Sequence, residues 1–328
     1  MPRRLVDLRT EEPLLDLKAY GHPSRPLTHD QKQQLKLLIR RAPEVMVRVT
    51  GGARTVGGVG CSMRYVGREG ALGLETDGGE HITGKDLAKE LLEDWNLDLD
   101  AHRRQTARGI VTRKTPKLVH NLFFSMPPGT DPDRVLRAVR KLAANEWQLK
   151  HRHVMVLHTD EPHPHVHVIL KARNEQGVRL NIRKATLRNW RAQFATNLRE
   201  LGVDAKATER AVRGLTRTHK PAGIYRAAQR GESIFTRQRQ QAAREAHDNT
   251  GATASRGHAA MLETRRSVLR GFEEVAQKAR AEGDERLADE IRHFVDRMPP
   301  VRTEQKLVAE AISQDARART ADTEPPTR

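Results

Sequence analysis

Histidines crowd one stretch of this chain. It reads His153-Val-Met-Val-Leu-His158-Thr-Asp160-Glu-Pro-His163-Pro-His165-Val-His167-Val-Ile-Leu-Lys171. Two apolar runs flank a polar turn that holds Pro162 and Pro164, the pattern of two strands joined by a tight connection. Strand side chains alternate faces, so His165 and His167 share one face while Val166, Val168 and Leu170 take the other. A hairpin folds His158, at the end of the first strand, back beside them. Three converging imidazoles suit a divalent cation, and a nearby carboxylate, Asp160, can fix the tautomer of a ring. A lone strand histidine is ordinarily packed or solvated. Two on one face, with a third across the hairpin, make a metal site the better reading.

A cation site in a basic protein points to phosphoryl chemistry, where the metal polarises a phosphate oxygen. Lys and Arg number 59 against 42 Asp and Glu, a net charge of +17, so the partner is a polyanion, either nucleic acid or an anionic membrane. No apolar run reaches the roughly 18 residues of a membrane span. The opening Met1-Pro-Arg-Arg-Leu-Val-Asp7 lacks the apolar core of a secretory signal. The single cysteine, Cys61, excludes a disulfide framework and suggests a cytoplasmic chain. The attacking group is either water or a side chain that conserves the phosphodiester in a covalent link. Of Tyr20, Tyr65 and Tyr225, only Tyr65 lies in the expected folded core, with Arg64 and Arg68 beside it to bind phosphate. Without the histidines, Tyr65 would read as an ordinary amphipathic core residue.

Periodicity supplies the elements that must position these groups. Val45–Thr50 alternates as a strand and ends at Gly51-Gly52; Val59–Arg68 follows as a short helix. A hairpin is expected from Leu72–Glu75 to His81–Thr83 around Asp77-Gly78-Gly79, then a helix over 84–96. Residues 118–126 form a strand, stopped by Pro127-Pro128-Gly129, and 131–147 a helix with Val135, Leu136, Val139, Leu142 and Trp147 as its stripe. After the histidine hairpin, Gly177–Ile182 suggests a further strand and 184–201 a helix burying Leu187, Trp190, Phe194, Leu198 and Leu201. Hairpin-linked strands and interspersed helices give an α+β domain, a largely antiparallel central sheet with helices packed on it.

Around this core, residues 1–43 read as a polar extension with one helix from Thr28 to Arg41. Residues 101–117 are basic with no acid, either a disordered loop or a phosphate clamp. Residues 206–248 read as a basic DNA-contacting segment; the overlapping stretch 203–240 holds nine basic residues against three acids. A helical C-terminal region, 249–328, carries two amphipathic helices and a disordered tail.

The motifs resemble those of conjugative relaxases of the MOBP class, in the HUH endonuclease superfamily. The histidine motif HxDxxxxHxH falls on His158, Asp160, His165 and His167, and the inserted His163-Pro164 is similar to the form found in T-DNA border nicking relaxases. Tyr65-Val-Gly-Arg68-Glu-Gly70 resembles the nucleophile motif, and His120-x4-Ser125 followed by Pro127-Pro128-Gly129 the motif between. Cys61 departs from relatives that carry a histidine there. The resemblance implies that 44–205 is a relaxase nuclease domain of HUH-like fold. Tyr65 would attack a scissile phosphate at an origin of transfer and keep the 5′ phosphate. His158, His165 and His167 would hold the metal, and Asp160 would orient a histidine. His163 or His165 would act as base, and Ser125 would help position DNA. The implied cation is Mg²⁺ or Mn²⁺, with Zn²⁺ favoured on ligand softness alone. Implied partners are single-stranded origin DNA, relaxosome accessory proteins and a type IV secretion coupling protein. The element would be a plasmid or integrative element undergoing mobilisation, and the chain could travel with DNA to a recipient cell. Two readings compete: a metal-dependent nuclease that uses water, and a non-enzymatic DNA-binding module built on structural Zn²⁺.

Overall fold

Alternating apolar strands dictate a sheet covered on both faces. The computed structural model describes residues 29–95, 116–215 and 256–301, with isolated positions at 27, 97, 227, 229–231, 237 and 241. Most of the basic 101–117 stretch, the greater part of 216–255 and the tail lie outside the described residues. Those described fall into two compact units, one of Arg40–Ala207, the other of the residues up to Ile39 and from Thr208 onward.

The first unit is built on six strands: β1 (Met46–Gly51), β2 (Leu74–Thr76), β3 (His81–Ile82), β4 (Val119–Ser125), β5 (His153–His158) and β6 (His165–Lys171). They form one sheet in the order β1-β4-β6-β5-β2-β3, and every neighbouring pair is antiparallel. This is the expected α+β architecture. In chain order the helices are α1 (His29–Ile39), α2 (Val56–Val66), α3 (Leu87–Asp94), α4 (Pro132–Glu146), α5 (Lys184–Glu200), α6 (Arg256–Ala281) and α7 (Glu285–Asp296).

One sheet face presents Val47, Leu122, Phe124, Met155, Val166, Val168 and Leu170 to α4 and α5. The other presents Val119, Val154, Val156 and Ile169 to α2 and α3. Proline at the first helical position and the Asp131 side chain, accepting from the Asp133 amide at 2.9 Å, start α4. Buried Asn197 donates to the Ala138 carbonyl at 3.0 Å and joins α5 to α4. Three glycines give α2 little intrinsic helix propensity. Its helicity comes from packing: Val59, Met63 and Val66 are buried against Leu87 and Leu91 of α3. Gly60 permits that approach, since a Cβ there would sit 3.2 Å from Leu92 Cδ1.

The strand expected at Gly177–Ile182 is not formed. Val178 donates to the Asn174 side chain at 2.7 Å, and the chain turns back on the end of β6 with a single Arg173–Arg179 bridge. Leu180 and Ile182 alternate because they rest on the core, not because they pair in the sheet.

In the second unit, Leu35 and Leu38 of α1 join Val212, Val268, Phe272, Val275, Leu287 and Ile291 in a separate core. The leucines of α1, which the sequence places in a polar extension, thus belong to the same core as the C-terminal helices. Within the described residues, no helix is long and apolar enough to cross a membrane.

Phe194 is fully buried and meets Phe124 edge-on at 5.4 Å, which fixes α5 on the sheet. Phe194→Ala is expected to cost about 3–5 kcal/mol of stability, read by urea denaturation. A cost below about 1 kcal/mol would mean that this face is held elsewhere.

Candidate active site

Register brings the histidines together. His158 lies directly opposite His165 across the β5–β6 pair, and His167 lies opposite Val156 on one side and Phe123 on the other. All three imidazoles therefore emerge on the face covered by α2. Their ring centroids stand 4.8–5.2 Å apart, and one ligand atom from each lies within 4.8 Å of the others. His158 and His165 are buried and His167 partly so.

Helix α2 ends against this cluster. His158 Nε2 donates to the Val66 carbonyl at 2.7 Å. A carbonyl only accepts, so this nitrogen carries the proton and Nδ1 keeps the lone pair. Arg68 Nη2 lies 3.3 Å from that Nδ1 and also ion-pairs with Asp160. Burial, with Arg68 and His165 nearby, pushes His158 below the usual histidine range, against the Val66 bond and Asp160. His165 Nδ1 donates to the His163 carbonyl at 2.9 Å, which turns Nε2 toward the cluster. His167 is pushed down to about 4, first by burial and then by His158, His165, Arg68 and Arg48. The donor set fits a divalent cation: neutral rings at His158 and His167, and at His165 an outer nitrogen already committed to a backbone carbonyl.

Tyr65 precedes Val66 and is 66% exposed, so its side chain stands in solvent at the last turn of α2. The chain then passes through three successive left-handed residues, Arg68 (φ 51), Glu69 (φ 54) and Gly70 (φ 91). A Cβ on Gly70 would meet the Gly84 carbonyl oxygen at 2.3 Å, so only glycine fits there. Left-handed conformations cost energy at Arg68 and Glu69, and the turn they make presents Arg68 to His158 and Asp160.

The remaining expected site residues are distributed unevenly. Ser125 faces His165 across the β4–β6 pair, on the histidine face. Asp160 stands 3.9 Å from His158 Nδ1, too far for a hydrogen bond, and acts on that ring through Arg68. The His163 side chain is exposed, while its carbonyl holds His165. His120, from the second motif, projects to the opposite face near Lys117, Arg179 and His151. Sequence reading missed Phe123, which packs on His165 and His167 at 4.9 and 5.3 Å, and Arg48, whose guanidinium covers the Phe123 ring at 4.6 Å. The available signal was alternation: Phe123 and Ser125 share a face of β4.

Residues 65–203 match the family model described as relaxase, MobA/VirD2-like nuclease domain. The matched span opens on Tyr65 and takes in all three histidines. That span, under half of the chain, is similar to MobA/VirD2-like relaxases. The chain is also 24% identical over 187 residues to the T-DNA border endonuclease VirD2 of Rhizobium radiobacter, a region covering 52% of this chain and 43% of that protein. The chain thus spans under half the length of that relative. No solved structure matches it.

The histidine geometry makes metal binding directly testable. His165→Ala and His167→Ala are each expected to weaken Mn²⁺ or Zn²⁺ binding about tenfold or more in calorimetric titration. Unchanged affinity in both would move the site elsewhere. His120 offers a separate pH test. Burial, then Lys117, Arg179 and His151, hold it at about 4 instead of the usual 6.5. As pH falls from about 6.5 to about 4, the unfolded chain takes up a proton that the folded one refuses, so stability drops. His120→Gln should lose less stability over that interval than the unaltered protein, measured by urea midpoints. Equal losses would show that this ring is already solvated.

Proposed function

We propose that this chain is a site- and strand-specific DNA relaxase that nicks an origin of transfer by tyrosine transesterification. The observation that carries the reading is the joint at Val66. The residue after Tyr65 bonds a histidine of the triad, and Arg68, three residues on, bonds the same ring. A nucleophile and a cation site tied through one ring suit attack on a phosphate held between them.

Tyr65 attacks phosphorus, a bond forms from its phenolic oxygen, and the bond to the 3′ oxygen breaks. That oxygen leaves with the electron pair and takes a proton, and the 5′ phosphate stays on Tyr65. His158, His165 and His167 would hold Mg²⁺ or Mn²⁺, which when bound supplies charge stabilisation to a non-bridging phosphate oxygen. His165 has one nitrogen committed to the His163 carbonyl and the other in the ligand set, which leaves His163 as the base the motif offers for the tyrosine proton. Arg68 is positioned to draw in phosphate while orienting His158. Ser125, beside His165, contributes a hydroxyl at the same end of the sheet. An ester is exchanged rather than hydrolysed, so nicking is reversible. Single-stranded origin DNA is the substrate, and relaxosome proteins and a type IV secretion coupling protein are the partners the resemblance suggests.

The test mixes the protein and Mg²⁺ or Mn²⁺ with a library of single-stranded origin candidates of different lengths. A covalent adduct and hybrid strands of exchanged length are expected. Tyr65→Phe should abolish both while DNA affinity stays within roughly a few-fold, because binding rests on many phosphate contacts. Complete one-way cleavage with an unblocked 5′ phosphate and no adduct would favour the hydrolytic nuclease.

A further inference from the structure

Cations gather at the end of the sheet away from the histidines. Lys117 Nζ donates to the Gly51 carbonyl at 2.9 Å, and Arg179 Nη2 to the Lys117 carbonyl at 2.7 Å. Arg173 bridges to Arg179 in the backbone, and its Nη1 donates to the Gly177 carbonyl at 3.4 Å. Burial, then the nearby Arg173 and Arg54, push Arg179 below the usual arginine range. Among the described residues, no carboxylate pairs with Lys117, Arg173 or Arg179. Buried His120 Nε2, in the same neighbourhood, has no hydrogen-bond partner.

A charge run is ordinarily a solvated face. Two features separate this group from one. Backbone carbonyls hold its side chains in place, so like charges are kept together at a cost in repulsion. The fold is also shaped around Lys117. A Cβ on Gly52 (φ +145) would fall 2.9 Å from Lys117 Cδ and 2.2 Å from the Val119 carbonyl oxygen, so the lysine stem lies in a groove that requires glycine.

The position of the group relative to Tyr65 gives it a use. Leu118 donates to the Ala53 carbonyl at 2.7 Å, which puts the cations where the chain enters α2. From there α2 runs to Val66 and the His158 ring. Its 11 residues cover about 16 Å at roughly 1.5 Å each. The strands agree: Val119 pairs with Lys171 and Ser125 with His165, a separation of about 20 Å at roughly 3.3 Å per residue. A short run of nucleotides bridges that distance.

We propose that Lys117, Arg173 and Arg179, with Arg54 beside them, form a second phosphate-binding site that grips single-stranded DNA one helix length from Tyr65. The choice of single-stranded DNA rests on the relaxase reading. A grip at a fixed distance from the nucleophile sets which phosphate reaches Tyr65 and reduces the freedom the strand must lose before attack.

The test uses full-length protein carrying Tyr65→Phe, so that binding is read without cleavage. Fluorescence anisotropy with single-stranded oligonucleotides of increasing length is recorded over a salt series, for this protein and for Lys117→Ala/Arg173→Ala/Arg179→Ala on it. The slope of log affinity against log salt should flatten by about 0.7 for each phosphate no longer neutralised, roughly 2 in all. The affinity step expected once a strand is long enough to reach both ends should disappear in the triple variant. Lys117→Arg/Arg173→Lys/Arg179→Lys should restore both. If the triple variant does not fold, Arg179→Gln alone carries the test, with a slope change of about 0.7. An unchanged slope and length step in a folded variant would reduce the cluster to a solvated face. On the protein with Tyr65 intact, adduct formation without any slope effect would sink the phosphate site and spare the relaxase reading. A slope effect without adducts would do the reverse.

Discussion

The buried hydrogen bond from His158 Nε2 to the Val66 carbonyl joins two parts of the molecule that fold by different rules. Helix α2 offers orphan carbonyls at its C-terminus, as every helix does. Strand β5 offers an imidazole at its last position. Their 2.7 Å contact anchors the turn carrying Tyr65 to the sheet and sets the tautomer of His158. With Nε2 protonated, only Nδ1 remains as an acceptor, and it points to Arg68 and the neighbouring rings. The bond survives only in one β5–β6 register, since a one-residue slip would send His158 or the His165/His167 pair to the α4–α5 face. The valines and leucine between them enforce that register, because a slip would also turn Val166, Val168 and Leu170 out of the core under α4 and α5.

The strained turn after α2 follows from the same constraint. Tyr65 must stay exposed while a cation-bearing side chain three residues later returns to the sheet. A regular helix would rotate position 68 onto the same side as Tyr65. Left-handed Arg68 and Glu69, followed by a glycine with no room for a Cβ, reverse the chain instead. Arg68 thereby meets both His158 Nδ1 and Asp160. One lone pair on Nδ1 can serve Arg68 or a metal ion but not both, so a cation bound there would have to release Arg68 from the ring. Asp160 keeps a partner for the guanidinium when that happens.

Much of this is legible in the sequence because it is periodic. The pairing of His165 with His167 on one face, the stripes of α4 and α5, and the valine-rich strand β1 all follow from alternation or helical spacing. The Leu180/Ile182 alternation misleads because two residues resting on a core leave the same mark as two residues in a strand. The leucines of α1 read as an isolated helix because no local pattern says which distant helices, here α6 and α7, will cover them. Arg48 and Phe123 escape because their role depends on cross-strand register, which sequence spacing leaves open. His120 matches a motif by spacing alone, yet it projects from the opposite face.

The electrostatic setting explains why these rings suit a metal better than a phosphate. A protonated imidazole donates and offers no lone pair, so a cationic triad would bind an anion directly. At His167 burial acts first, and the neighbouring rings with Arg48 and Arg68 add to it, each disfavouring the proton. Phe123 contributes to that burial by covering His165 and His167, and Arg48 closes the outer side of its ring. The aromatic and the two guanidiniums therefore act on protonation before they act on any substrate. They hold His167 in the form that can ligate, while the positive charge needed to attract a phosphate sits on arginines, which remain charged at any working pH. Ligand atoms and anion-attracting charges are thus divided between residue types, so neither task depends on a histidine that must perform both.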